Sequence, residues 1–335
     1  MEGVKRRKAI YLCLVYGFLI LMVGFRHHTM GVDLAGYLKS YERLHGMSFW
    51  EVLSLKSYLN YEKGYIIFNK IIAFFSFGSK QFFLLICSFL SLFPIAKTIY
   101  EKSEDALLST VIYLGLPVFL LQYSALRQGI ALAICFWAMR FVEDKKFWRF
   151  LLFVVIASFF HYTAVVFLAV YFFYHLQIPG KIRVIFLALF PIVFVVRKQL
   201  FTLFSLLFKK NAILTSTGAY TLMIIFIMIY IFLLIFFYGD KDPKVNGYMN
   251  VFFMACLSQI FSTVYDTAIR VGYYFMFSLV LLLPMALTRL KDRRYAILIR
   301  YAVILCFVIF FFDSALDSSW ARAYPYYFFW QTIPY

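Results

Sequence analysis

Charge is what this sequence has least of. Asp, Glu, Lys and Arg together make up 15% of its 335 residues, against roughly a quarter in soluble globular domains. With a mean hydropathy of +0.83, that scarcity excludes a soluble globular chain. Cysteine is rare as well. Cys13, Cys87, Cys135, Cys256 and Cys306 all fall inside apolar runs, and none pairs at metal-ligand spacing, which argues against a zinc site or a disulfide framework. His27 and His28 are adjacent, but no carboxylate or third histidine stands at ligand spacing, so no metal is expected. Internal repeats and low-complexity tracts are lacking too. The apolar run Ala9–Phe25 is longer than the h-region of a cleaved signal peptide and ends in Gly24-Phe25-Arg26 rather than a small-residue cleavage site. It reads as a retained anchor.

What is present is apolar surface: 64% hydrophobic and 22% aromatic residues. The length accommodates about eleven membrane spans of ~20 residues each. They are expected near 9–25, 81–99, 105–122, 126–142, 147–160, 162–176, 183–197, 220–238, 247–264, 271–288 and 296–312. A formal charge of +17 would fit a nucleic-acid partner, but the basic residues punctuate apolar runs, as cytoplasmic loops of membrane proteins do. No nucleic acid is expected. Lys5-Arg6-Arg7-Lys8 places the N-terminus in the cytoplasm, and the cluster from Arg289 to Arg294 falls on the same side. The C-terminus is then extracytoplasmic. The fold class is an all-α polytopic membrane protein, one transmembrane domain over residues 1–335.

Three stretches depart from plain spans. Residues 26–80 form an external loop, within which 64–77 is too short to cross and reads as an interfacial or re-entrant helix. Residues 147–176 form a hairpin of two half-length helices meeting at His161, a break tolerated only where it lines protein or a watery cavity. Segment 197–210 has basic ends around an apolar middle and reads as an amphipathic helix at the outer surface. Residues 313–335 make an external tail.

Ionisable groups inside such a chain mark functional sites by default. Arg127, His161, Asp266 and Arg270 fall at one membrane face in this topology, which points to one polar cavity. Arg127 starts a helix beside Gln128, and its guanidinium suits phosphate. An arginine snorkelling to the outer surface is the plainer alternative. His161, alone in an apolar stretch, is either a structural residue or a base. Asp266 and Arg270 stand four apart and share a helix face, so they form a local ion pair or hold an arginine beneath a phosphate. Tyr273 and Tyr274 offer aromatic faces of the kind that pack on sugar rings.

Five patches, in order along the chain, resemble the EpsG family of Wzy-like bacterial polysaccharide polymerases. They are Arg26, Gly31, Asp33 and Tyr37; Glu62, Gly64 and Tyr65; Arg127, Gln128 and Ala131; Phe160, His161 and Thr163; and Arg270, Tyr273, Tyr274 and Phe275. The resemblance implies a fold like the GT-C glycosyltransferases and a hexosyltransferase-type reaction at the extracytoplasmic face of the bacterial cell (inner) membrane. Its substrates would be oligosaccharide repeat units on undecaprenyl diphosphate, with the growing glycan transferred onto the incoming unit. A flippase and a chain-length regulator of the same pathway are implied partners. A lipid-linked oligosaccharide flippase or a glycan ligase is the alternative. On this reading Arg127, Arg270 and Arg26 bind the diphosphate and no cofactor is needed. His161, with Asp33 next, serves as base or hydroxyl-orienting group, and Asp266 orients Arg270. Gln128, Tyr37, Glu62, Tyr273 and Tyr274 contact substrate.

Overall fold

The computed structural model describes every residue except 1, 56–57, 59–60, 208–219, 318 and 334–335. The side chains of Phe204, Leu207, Asp266 and Thr267 also lie outside the described residues. The chain divides into two compact units, residues 1–165 with 297–335, and residues 166–296.

The first unit begins with α1 (Glu2–Gly24), α2 (Leu34–Gly46), α3 (Phe49–Ser54), α4 (Lys63–Phe75) and α5 (Lys80–Lys102). It continues through α6 (Ala106–Gly115), α7 (Pro117–Ser124), α8 (Leu126–Glu143), α9 (Phe147–Phe160) and a 3-10 segment from Tyr162. The second holds α10 (Leu168–His175), α11 (Gly180–Ala188), α12 (Phe190–Leu207), α13 (Tyr220–Phe236), α14 (Pro243–Ser262), α15 (Asp266–Met276) and α16 (Ser278–Thr288). The last helix, α17 (Arg293–Leu316), returns the chain to the first unit.

Among the described residues, four helical segments are long and apolar enough to cross a membrane: α1, α5, Ala268–Thr288 and α17. Counting the bent pairs α6–α7 (59°) and α11–α12 (54°) as single spans raises the number to six. The chain is an integral membrane protein. A helical element also covers each of the other expected spans, but those are shorter or less apolar. Proline marks both bends. Pro117 opens α7 and Pro191 stands second in α12, where a missing N–H is harmless to the new helix but cannot continue the old one.

In the first unit α5 packs against α1 and α8, and α8 against α9. Backbone and polar groups in such a bundle must be paired internally. Ser88 and Ser91 of α5 accordingly donate to Leu84 O and Cys87 O, each at 2.8 Å. Ion pairs sit at the helix ends instead. Lys102–Glu143 (2.6 Å) and Arg140–Glu101 (3.2 Å) join α5 to α8 at one end, and Arg300–Asp105 (2.8 Å) joins α17 to the start of α6. Arg127 lies at the opposite end of α8, roughly 20 Å away at 1.5 Å per residue.

One expectation needs correction. The helix expected over 197–210 does not begin at 197: residues 197–207 continue α12 without a break, because no proline or glycine separates them from the apolar turn before, while 208–210 lie outside the described residues. The C-terminal tail folds back on the first loop through an isolated bridge between Arg26 and Phe328. His27 N donates to Tyr327 O (2.8 Å), Phe329 N to Phe25 O (2.9 Å) and Gly31 N to Arg322 O (3.1 Å). Ser124 Oγ reaches Trp320 O and Ala321 O at 3.0 Å and accepts from Val32 N at 2.9 Å. Gly31 is obligatory at this junction. Its φ is +96°, and a Cβ there would collide with Tyr123 O.

Removing residues 321–335 takes away the acceptors of His27 N and Gly31 N and one of the two of Ser124 Oγ. The truncated protein should unfold at a lower temperature in detergent than the full chain; an unchanged midpoint would show that the clasp contributes nothing.

Candidate functional site

The centre of the first unit's polar chemistry is Glu62, the residue before α4. The sequence supplies no side-chain cap at this helix start, so the carboxylate is available to distant groups. It pairs with Arg127 NH1, lies 3.2 Å from His161 Nδ1 and accepts from Tyr162 N at 3.0 Å. The two ends of the Arg127–Glu62 pair are 17% and 12% exposed. Three segments separated by 65 and 99 positions thus meet on one carboxylate.

A missing side chain brings them together. A Cβ on Gly64 would overlap Phe159 Cβ and approach Phe159 O to 2.8 Å, so only glycine lets α4 press against the end of α9. There α9 stops. His161 takes an extended conformation (φ −153°, ψ 115°) before the 3-10 segment begins, which turns its ring toward Glu62. Phe160 packs on Phe68 of α4 at 5.4 Å between ring centroids.

Aromatic rings surround the guanidinium of Arg127. Tyr61 lies 4.4 Å away, and Tyr37 and Tyr65 each 5.9 Å. Arg127 Nε also donates to Tyr37 OH at 3.4 Å. Such faces attract a cation most strongly where water is excluded. Burial raises the pKa of Glu62, but the hydrogen bonds from His161 and Tyr162 and the Arg127 charge outweigh it, leaving a value of about 2. Glu62 is therefore ionised, and an ionised carboxylate only accepts. In the neutral imidazole the proton then sits on Nδ1, and Nε2 keeps its lone pair. That Nε2 is buried without a hydrogen-bond partner.

Asp33 is exposed at the start of α2, one helical turn before Tyr37. Gln128 is buried beside Arg127. Arg26 is 0% exposed, with NH1 donating to Val23 O, Nε and NH2 without partners, and Tyr123 at 5.5 Å from its centre. Burial without a carboxylate lowers its pKa to about 10. The clasped tail covers it.

In the second unit Arg270 is exposed on α15. The side chain of Asp266 lies outside the described residues. Tyr273 and Tyr274 are buried, and Tyr274 packs on Phe167 at 6.3 Å. The sequence reasoning missed Tyr61 and the bridging place of Glu62. For Tyr61 the available signal was its place directly before Glu62, with Tyr65 three positions after it.

Three of the five motif patches thus supply the paired carboxylate, guanidinium and imidazole as well as the glycine that joins them. The sequence model of the EpsG family matches residues 9–328. The chain belongs to the EpsG family. No curated protein and no solved structure shows significant similarity to it. Membership places this EpsG protein broadly among membrane proteins of the polysaccharide-polymerase type.

Breaking a buried pair by neutralising one partner costs about 3–5 kcal/mol, so Glu62→Gln should unfold at a clearly lower temperature than the wild type. The depressed pKa also fixes a pH signature. Stability from an ionised Glu62 is present above the ordinary value of 4.5 and fades as pH falls towards about 2. The difference between wild type and Glu62→Gln should shrink across that window. A difference that grows on acidification would contradict the assignment.

Proposed function

We propose that this EpsG protein is a polysaccharide polymerase of the hexosyltransferase type. It joins oligosaccharide repeat units carried on undecaprenyl diphosphate at the extracytoplasmic face of the bacterial cell membrane. About eleven spans in a GT-C-like arrangement belong to this reading, with the N-terminus in the cytoplasm and the C-terminus outside. A flippase would supply the units and a chain-length regulator would limit them. The observation that carries the proposal is the Arg127–Glu62–His161 cluster, assembled from three separate family patches and flanked by Tyr37 and Asp33 of a fourth.

In the proposed step, a hydroxyl oxygen of the incoming unit attacks the anomeric carbon of the growing glycan. The bond from that carbon to the diphosphate oxygen breaks, and undecaprenyl diphosphate leaves with the electron pair. Arg127 stabilises the charge that develops on it, commonly the largest catalytic contribution. The hydroxyl proton passes to His161 Nε2, whose ring Glu62 holds through Nδ1. Glu62, expected from sequence to touch substrate, serves here as the orienter. Asp33 is the competing base because it is exposed and close to Tyr37. Arg270 and Arg26 remain diphosphate candidates on their sequence pattern. Arg26 becomes reachable only when the tail lifts.

The decisive assay is elongation by purified protein in proteoliposomes supplied with lipid-linked repeat units. Wild type should give a ladder of products. Arg127→Lys keeps the charge but loses the planar fork, so it should be much less active, and Arg127→Ala should give no ladder. His161→Ala should still bind donor while elongation falls by about 10²–10⁴-fold. Near-normal turnover of His161→Ala with an inactive Asp33→Asn would transfer the role to Asp33. In cells lacking the gene, single repeat units on the terminal acceptor support a polymerase; absence of any surface glycan would instead indicate a ligase or flippase.

A further inference from the structure

A cavity of about 350 Å³ opens in the second unit between the start of α11, the turn after α13 and the first turns of α14. Gln177, Gly180, Arg183, Asp240, Lys241 and Asn246 contribute its polar lining. Arg183 is only 5% exposed. Its Nε donates to Ile178 O (3.1 Å) and NH1 to Tyr230 OH (3.3 Å). NH2 donates to Asn250 Oδ1 (2.5 Å), Asn246 O (3.1 Å) and Asn246 Oδ1. Each of these acceptors is neutral. The nearby carboxylates are engaged elsewhere, since Arg289 holds Asp240 and Asp242, each at 2.5 Å. A guanidinium buried without a counter-charge is costly, and here it lies against a cavity.

Apart from Asp240, which is paired with Arg289, the remaining features of the wall have the same polarity. Lys241 is exposed. The first turn of α11 brings the positive end of a helix, and Gly180 lies there because a Cβ would collide with Tyr238 O at 2.5 Å. Asn246 Nδ2 donates to Gln177 Oε1 at 2.7 Å, which leaves the NH₂ end of Gln177 as a donor. Phe237, Ile178 and Met249 supply an apolar side. The cavity borders the N-terminal end of α14 (Pro243–Ser262), whereas Arg270 stands on α15, which follows the far end of that helix.

We propose that this cavity binds a phosphate group, with Arg183 as the fixed charge beneath it and Lys241, Gln177 and the α11 N-terminus as direct donors. Lys181, Lys241, Lys244 and Arg289 crowd this end, which the positive-inside rule assigns to the cytoplasmic leaflet. The phosphate is therefore that of an anionic lipid headgroup or of a soluble phosphate, on the side of the membrane away from the transfer reaction. The site uses none of the residues assigned to transfer, so it stands or falls independently of the polymerase reading.

Arg183→Ala risks the fold, because five contacts depend on it. Asn246→Asp is nearly isosteric and sets a carboxylate against Arg183 NH2, cancelling the charge while keeping that hydrogen bond; it gives up the donor to Gln177 Oε1, so the Gln177 amide turns its NH₂ toward the new carboxylate and away from the ligand. The purified full-length protein is titrated with phosphatidylglycerol in mixed micelles, with phosphatidylcholine as the baseline, and separately with inorganic phosphate, reading the unfolding temperature. Wild type should be stabilised, and Asn246→Asp should need at least about tenfold more of the same ligand, a difference of ~1.4 kcal/mol. Lys241→Gln should be weakened less. Stabilisation by phosphatidylglycerol but not by phosphate assigns a lipid headgroup; stabilisation by phosphate itself assigns a soluble anion. If neither stabilises the wild type, or Asn246→Asp responds as the wild type does, the site is overturned.

Discussion

The first unit is organised around a carboxylate that cannot be left alone. Glu62 is largely removed from water and stays ionised because Arg127, His161 and the Tyr162 N–H all converge on it. An isolated buried carboxylate would be far too costly to keep charged, so these partners are a condition of the fold and not an addition to it. The consequence runs outward. Glu62 ties the start of α4 to the start of α8 and the end of α9. Gly64 permits the approach, and the rings of Tyr37, Tyr61 and Tyr65 close around the cation. The arrangement fixes the imidazole tautomer and leaves one unpaired nitrogen, the feature that general-base chemistry requires.

The same economy of charge operates elsewhere. Ion pairs in the first unit lie at helix ends, with Arg127 at one end of α8 and Arg140 at the other. Neutral side chains inside the bundle return their hydrogen bonds to carbonyls one turn back. Two buried arginines break the pattern, and they do so differently. Arg183 is surrounded by five neutral acceptor oxygens and borders a cavity, whereas Arg26 keeps two nitrogens unpaired beneath the folded-back tail. The first arrangement suits an anion that comes and goes. The second suits a group shielded until the tail moves.

Much of this was legible in the sequence where local pattern decides the outcome. The 64–77 segment reads as one short helix, and α4 is a helix of 13 residues over Lys63–Phe75. The polar break at His161 ends α9 where two half-length apolar runs meet. What sequence could not reveal depends on contacts between distant positions. The union of Glu62 with Arg127 and His161 leaves no periodic trace, and the tail clasp joins residues 297 and 304 positions apart. The burial of Tyr273 and Tyr274 was not legible either, because aromatic residues near a polar loop read the same whether they face a cavity or a core. The division into two units was hidden too, since both halves are equally apolar.

The account's central claim is that Glu62 and Arg127 act as one unit. A double-mutant cycle on the purified protein tests it most directly, comparing unfolding free energies of Glu62→Gln, Arg127→Gln and the double variant in one detergent. The account predicts strong coupling, with the double variant less destabilised than the sum of the single variants by at least about 1.5 kcal/mol. Single effects that add to within about 0.5 kcal/mol would show that the two residues do not depend on each other, and the account would fail.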